Sequence, residues 1–532
     1  MPGARGTLVP AVAVAAAVVV GALVRAGHTL ASDFPLNDGG LFYVMVRDLQ
    51  AAGFALPATT TYNDAALPYA YPPLGFYLAG LLAAVGPWSL LDEFRWLPLA
   101  FSVLTIPAFW LLARDLLPDR RAALLATGAF ALLPMSFQWV IMGGGLTRGL
   151  GFVWAILALW QVHRLYTWPG RATLLLAIVL AALTVLSHPA MAWFLAYSSI
   201  VLFLAHGRSA AALRRSVLVA LGTVALTAPW WVAVLSRHGV YPLVASGGSG
   251  WGPFAPLQLL TLAITNEPFF PVLGALAALG ALACLRTRRA WLPAWVGVMV
   301  LLDARSPLAT ASVPIALLAG IGASQVLLPW LGWAAPDGSA GARDSSAAAP
   351  GARRRPPALV WAVGGFIAFL ATLGATVDLN GVLGGLTAEQ RAGMRWAAEA
   401  TPPGARFLIV TGSLFPTRDR VSEWFPALGG RVSVTTIQGY EWARDDSFGQ
   451  RVERYLTVQR CAYRGVACLA AWTAEHGVPW DYLYLPKGPT GASTNPALAE
   501  DCCWALRASA AADPRYEAVY DGPGGTVYRR RG

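Results

Sequence analysis

Apolar residues in this chain run in long unbroken blocks, near 7–24, 96–113, 122–141, 149–166, 171–187, 190–205, 216–235, 268–285, 291–303, 307–333 and 358–377. Several are long enough to cross a bilayer, whose hydrocarbon core of about 30 Å needs about 20 apolar residues in a helix. One further stretch, Pro72 to Gly86, is short and opens on Pro-Pro. After residue 377 the pattern changes. Thr387 to Ala400 has helical character with Thr387 as an N-cap. Pro402-Pro403-Gly404 makes a turn, and Arg406 to Thr411 reads as a short buried strand. Asp481 to Leu485 and Glu517 to Tyr520 read as further strands, the latter joined through a Gly-rich turn to Thr526–Tyr528. The pattern therefore predicts a polytopic α-helical membrane domain of about eleven spans over residues 1–377, followed by an α/β domain over 378–532.

Composition sharpens this. The 532 residues are 56% apolar and 13% charged, with a mean hydropathy of +0.53, where a soluble protein carries about a quarter charged residues. A soluble enzyme, a disordered scaffold and a nucleic-acid binder are excluded. The net charge of +11 is a topology signal: 22 basic residues stand against 12 acidic ones before Asp378, and 17 against 16 from there on. If Pro72–Gly86 does not cross, the clusters at Arg114/Arg120/Arg121, Arg164/Arg171, Arg208/Arg214/Arg215, Arg286/Arg288/Arg289 and Arg353/Arg354/Arg355 all fall on the cytoplasmic side. With Arg5 and Arg343 they make 16 of the 22, and the positive-inside rule favours that topology. It gives an uncleaved first helix with a cytoplasmic start, a long outer loop over 28–95, a flexible cytoplasmic linker over 334–357, and an extracytoplasmic tail. Abundant Ala, Arg and Gly with a single lysine, Lys487, suggest a GC-rich bacterial genome, so the expected location is a bacterial cytoplasmic membrane.

Polar residues of the outer loops are the candidate chemistry. The first loop opens Ser32-Asp33-Phe34-Pro35-Leu36-Asn37-Asp38-Gly39-Gly40, and Leu41, Phe42, Met45, Val46 and Leu49 then mark one face of a helix lying in the membrane interface. Asp38 would begin that helix; a simpler role for Asn37 or Asp38 is to cap it. Tyr71-Pro72-Pro73-Leu74 follows, then Gly143-Gly144-Gly145-Leu146-Thr147-Arg148, His188, Glu267, and Asp303 with Arg305. His188 could be a turn residue, Arg148 and Arg305 could snorkel to headgroups, and Asp303 could merely pair with Arg305. Yet ionisable groups at membrane depth are costly unless paired or functional, and here they gather on one side. Arginine forks suit a phosphate headgroup, a carboxylate can take a proton from an acceptor, and apolar surfaces beside them can hold a polyprenyl chain. This set fits glycosyl transfer from a lipid-phosphate sugar, with Arg148, Arg305, His188 and Glu267 around the donor. A divalent cation, Mg or Mn, could assist the departing phosphate.

In the tail, Glu423-Trp424-Phe425-Pro426 and Gln438-Gly439-Tyr440-Glu441-Trp442 could stack on and bond an acceptor sugar, or serve as core and turn residues. Cys461, Cys468, Cys502 and Cys503 lie there too. Clustered cysteines outside the cytoplasm usually pair, here as Cys461–Cys468 or as one of these with Cys502 or Cys503.

The first span, the long outer loop opening on acidic residues, the helix after Asp38, Tyr71-Pro72-Pro73-Leu74, the Arg-bounded spans and the α/β tail together resemble the GT-C superfamily of integral-membrane glycosyltransferases. The likeness is nearest to bacterial enzymes grouped with the protein O-mannosyltransferases and the lipid A aminoarabinose transferase. It implies that a first-loop acid, Asp38 or else Asp33, is the catalytic base, that Tyr71–Leu74 lies beside the donor, and that the tail covers the cavity and helps to select the acceptor. There are departures. Asn37-Asp38 stands where the family has Asp-Glu, Tyr71 stands where a basic residue often precedes Pro-Pro, and Arg148 replaces a second-loop acid. Trp230-Trp231 is followed by Val232, which leaves recognition of a peptide sequon unsupported. Two other classes compete: a lipid or solute transporter using the same cavity, and a non-catalytic glycan-binding subunit. Transporters commonly carry repeated halves and broken mid-membrane helices, and neither is visible in this sequence.

Overall fold

The computed structural model describes residues 5–117, 119–248, 255–302, 308–333, 357–378, 381–443, 448–488 and 502–531. Its helices are α1 (Arg5–Leu30), α2 (Gly40–Ala51), α3 (Leu74–Val85), α4 (Leu90–Leu116), α5 (Arg120–Leu132), α6 (Gly145–Thr167), α7 (Arg171–Ser187), α8 (Pro189–His206), α9 (Ala210–His238), α10 (Tyr241–Gly248), α11 (Ala255–Leu260), α12 (Val272–Arg286), α13 (Trp291–Leu302) and α14 (Leu308–Ile321). Another apolar helix spans Ala358–Thr376. Every one of the eleven predicted apolar blocks forms a helix. Among the described residues, seven helices are long and apolar enough to cross a membrane by length and composition alone. The chain is a polytopic α-helical membrane protein with a strand-containing C-terminal domain. At 1.5 Å per residue the twelve residues of α3 reach only about 18 Å, short of a crossing.

Two blocks differ from expectation, each for a local reason. The 122–141 block stops being α-helical at Leu132. Pro134 lacks an N–H and keeps Leu133 extended, and after a 3-10 turn at Pro134–Ser136 the chain bends across the end of the bundle to Gly143. The first helix instead runs past its apolar block, so Arg25 lies inside α1 and fully buried. Its guanidinium donates to Ser102 Oγ (2.9 Å), the carbonyls of Gly21 (3.0 Å) and Ala131 (2.7 Å), and Ser136 Oγ (3.1 Å), and it lies over the Phe137 ring. A charge that follows directly on the first apolar block is thus satisfied within the bundle.

The first loop carries a two-residue hairpin, β1 (Thr59–Thr60) against β2 (Leu67–Pro68). The tail holds a five-stranded sheet of β3 (Arg406–Ile409), β4 (Val432–Ser433), β5 (Tyr482–Pro486), β6 (Tyr516–Gly522) and β7 (Gly525–Arg530), in the order β4-β3-β5-β7-β6. Strands β4, β3 and β5 are parallel, while β7 runs antiparallel to β5 and β6. Thr387 caps the helix Ala388–Ala400 through a capping box with Gln390, as expected. Cys461 pairs with Cys468 and Cys502 with Cys503, so the cross-pairings between the two groups do not form.

The two parts share one core. Leu41, Met45, Phe76 and Phe94 from the membrane domain are buried in the same cluster as Phe407, Trp424, Phe425 and Tyr484 from the tail. The apolar face of α2 is therefore not left for lipid: Leu41, Val44, Met45, Val46 and Leu49 are buried in protein, with α2 lying against α3 and the tail helix Arg420–Gly429.

Candidate functional site

The site begins where the first loop is clasped between the bend before α6 and the tail. Gly143 N–H donates to the Leu36 carbonyl (2.9 Å). From the other side Asn37 N–H donates to the Gly384 carbonyl (2.9 Å), and the Trp424 indole N–H to the Asn37 carbonyl (3.0 Å). Asn37 and Gly39 both take positive φ, 49° and 122°, a region suited to Asn and Gly, and this turns Asp38 toward the bend. Asp38 Oδ1 accepts from the Gly144 N–H at 2.8 Å, and Oδ2 lies 3.9 Å from Arg148 Nη2. Arg148 is fixed in turn by donating to the Trp139 carbonyl (2.5 Å). The Gly143–Gly145 run is more than a turn: a Cβ on Gly144 would stand 2.6 Å from Asp38 Oδ2, and one on Gly143 would collide with the Asp38 carbonyl. Burial pushes the Asp38 carboxyl above the ordinary carboxylate range, with the Arg148 charge and the Gly144 N–H opposing it.

Neither Asn37 nor Asp38 caps α2. Its N-cap is Gly39, which has no side chain to offer, and the Gly39 N–H instead donates to Glu423 Oε1 at 2.8 Å. Glu423, in the helix Arg420–Gly429, is 7% exposed. Its carboxyl is pushed up to about 8, first by burial and then by the Asp38 charge. Trp424 beside it is fully buried, 4.7 Å ring to ring from Phe34. The structure thus sets Glu423 and Trp424 in the seam between the domains, not on an open wall. Asp33 also faces the tail: its carboxylate takes two bonds from Arg391 (2.9 and 2.5 Å), which hold it below the usual range, and its side chain is 65% exposed.

A cavity of about 340 Å³ is lined by Tyr71, Pro72, Pro189, Trp193, Trp230 and Trp442, among others. Tyr71 leads from it toward the bend that holds Asp38, since the Thr147 hydroxyl donates to its hydroxyl at 3.4 Å, three residues after Gly144. Its ring lies 5.5 Å from Trp442 and 5.9 Å from His188. Trp442 also borders a second cavity of about 250 Å³, whose walls include Leu67, Pro68, Arg237 and His238. His188 caps α8 by accepting from the Ala190 N–H (3.1 Å). Glu267 lies farther along the chain at the start of α12, where it accepts from Leu273 and Gly274 N–H (both 3.0 Å). Glu441 accepts from the Gly439 N–H (2.9 Å). Asp303 and Arg305 lie outside the described residues.

The structure therefore brings Asp38 to Arg148, and Tyr71 to His188 and Trp442, with Thr147 between the two groups, and gives Asp33, Glu267, Glu423 and Trp424 capping or docking contacts. Trp193 and Trp230 were not singled out by sequence as cavity walls; the usable signal is a cluster of tryptophans at the ends of apolar blocks, where amphipathic rings favour an interface. Asp38 already faces the cation of Arg148, and among the described residues no three His, Cys, Asp or Glu side chains converge.

No family model and no curated protein sequence matches this chain. Solved structures do. The archaeal oligosaccharyltransferase AglB from Archaeoglobus fulgidus, in complex with an inhibitory peptide and a dolichol-phosphate, is 14% identical with a TM-score of 0.53, over 89% of this chain and 69% of its own. ArnT from Cupriavidus metallidurans, bound to undecaprenyl phosphate, is 16% identical with a TM-score of 0.51, over 99% of this chain and 98% of its own. The mycobacterial arabinofuranosyltransferase AftD is 16% identical with a TM-score of 0.55, over 98% of this chain and 40% of its own. Over nearly its whole length, then, this chain has the fold of the GT-C membrane glycosyltransferases.

Proposed function

We propose that the protein is a membrane glycosyltransferase that moves a sugar from a polyprenyl-phosphate donor to an acceptor outside the cytoplasm of a bacterium, with inversion and with Asp38 as general base. The observation that carries this reading is the placement of Asp38: a half-buried carboxylate held by the Gly144 N–H and Arg148, in a bend that Thr147 and Tyr71 link to an aromatic-walled cavity, in a fold shared with such enzymes. Asp38 takes the proton of the acceptor hydroxyl or amine while the acceptor atom bonds to the anomeric carbon from the face opposite the phosphate. The bond from that carbon to the phosphate oxygen breaks, and polyprenyl phosphate leaves with the electron pair. Arg148, whose guanidinium lies 3.9 Å from the Asp38 carboxylate, stabilises the departing phosphate. Tyr71, Trp193, Trp230 and Trp442 provide apolar and ring surfaces for the prenyl chain and the sugar. The proposed step uses no metal, because Arg148 supplies the positive charge.

The test uses purified protein in lipid, a panel of radiolabelled polyprenyl-phosphate sugars and a bacterial envelope extract as acceptor source. One donor should be consumed, with polyprenyl phosphate released equally in the presence of EDTA. Transport into sealed vesicles without release of polyprenyl phosphate from any donor would overturn the reading in favour of a transporter.

A further inference from the structure

Glu423 belongs to the tail, yet its carboxyl ends on the amide next to Asp38. Besides the Gly39 N–H at 2.8 Å, it bonds the Gly40 N–H, so the two residues that follow Asp38 are both held from the tail. The backbones touch here as well, since a Cβ on Gly40 would stand 2.6 Å from the Glu423 carbonyl oxygen. That carbonyl is fixed by the Tyr62 hydroxyl at 2.6 Å. The first turn of a helix presents unpaired N–H groups and a partial positive charge. In α2 no local side chain answers them, and the carboxyl that does comes from a residue 384 positions away. Asp38 is thus gripped from two directions, by Gly144 and Arg148 through its own carboxylate and by Glu423 through the amides behind it.

We propose that Glu423 is a positioning residue for Asp38, so that the active site is complete only when the C-terminal domain is docked. This rests on the reading of Asp38 as the base. The titratable groups around the Glu423 carboxyl are Asp38 on the membrane side with Arg148 beyond it, Tyr62 from the first loop, and Tyr440 and Glu441 from the tail. Two carboxyls this close release their protons in two steps that belong to the pair. The first leaves a single negative charge, which serves as the base. Burial and the Asp38 charge hold the Glu423 proton on to about pH 8, and once it leaves, two carboxylates repel one another in the seam.

The experiment compares kcat, KM and pH profiles of the full-length wild type, Asp38→Asn, Glu423→Ala and Glu423→Gln. Glu423→Ala should lower kcat by about 10- to 100-fold with donor KM little changed, the cost of a base misplaced by a fraction of an ångström to an ångström. Glu423→Gln keeps an oxygen for the Gly39 N–H, so it should restore most of that loss at neutral pH. The wild type should lose kcat as pH rises through about 8, and Glu423→Gln should abolish that fall. A cap that merely stabilises the fold would leave this alkaline limb in place. An inactive Asp38→Asn together with wild-type kcat and an unchanged alkaline limb in the Glu423 variants overturns the inference and leaves the base assignment standing; an active Asp38→Asn overturns the base assignment itself. If Glu423→Ala does not fold, the alkaline limb of Glu423→Gln alone decides.

Discussion

Gly144→Ala offers the sharpest perturbation of the site because it adds one methyl group and alters nothing else. Gly144 sits at φ −64° and ψ −12°, where alanine is at ease, so the substitution brings no backbone strain. The new Cβ would stand 2.6 Å from Asp38 Oδ2 and 3.0 Å from its Cγ, while ordinary contact begins beyond 3.4 Å. The carboxylate must therefore retreat by about 0.8 Å, lengthening or losing the 2.8 Å bond from the Gly144 N–H. A hydrogen bond to a charged group contributes about 1.5–3 kcal/mol, and a displacement of about 1 Å costs about 100-fold in rate. Since 1.36 kcal/mol is tenfold, the two estimates agree on a fall in kcat of about 10- to 100-fold. Steady-state transfer at saturating donor measures it. A kcat within twofold of wild type would refute the claim that Asp38 must sit where Gly144 allows it.

Trp442→Ala removes the wall that both cavities share; at about 0.5–1.5 kcal/mol per aromatic contact it should raise a substrate KM by about 2- to 10-fold with kcat kept, and a KM equal to wild type would count against a substrate there. The base must be ionised, so activity should rise with pH through a midpoint above the ordinary aspartate value of 3.8. Arg148→Gln removes the charge that holds the Asp38 carboxyl down and should move that midpoint to higher pH; a midpoint that stays or falls speaks against the pair. Glu423 has a folded-state value raised from 4.5 to about 8, so its contribution to stability is fully present below pH 4.5 and is lost as pH rises through about 8. Proteolysis of the tail should accelerate over that window in the wild type and not in Glu423→Gln.

Much of this architecture is legible in sequence because it is local. A run of apolar residues, a Thr387–Gln390 capping box or the RFLIV run beginning at Arg406 carries its signal within a few neighbours. The same holds for Asp38, marked by an acidic opening to a long loop. What escapes is set by partners far along the chain. Glu423 reads like an exposed acceptor-binding residue until the Gly39 N–H comes to it across the seam. The amphipathic face of α2 reads as a membrane-surface helix because an apolar stripe looks the same whether lipid or Trp424 covers it. Arg25 marks a cost in the sequence, a charge at the edge of an apolar block, but its four acceptors come from four different places in the bundle. The three glycines at 143–145 announce a bend and not its purpose, which is to admit the Asp38 loop.

The central claim is that Asp38, and not the neighbouring Asp33, is the base. Asp33 is an exposed partner of Arg391, an arrangement worth at most about 1 kcal/mol, whereas Asp38 is half-buried, bonded by the Gly144 N–H and faced by Arg148. The most direct measurement is the rate of polyprenyl-phosphate release by Asp38→Asn and Asp33→Asn, side by side with wild type in the same lipid. The expected result is loss of at least about 100-fold for Asp38→Asn, with Asp33→Asn within about twofold of wild type. The reverse order, or two variants with equal and near-normal rates, would contradict the account.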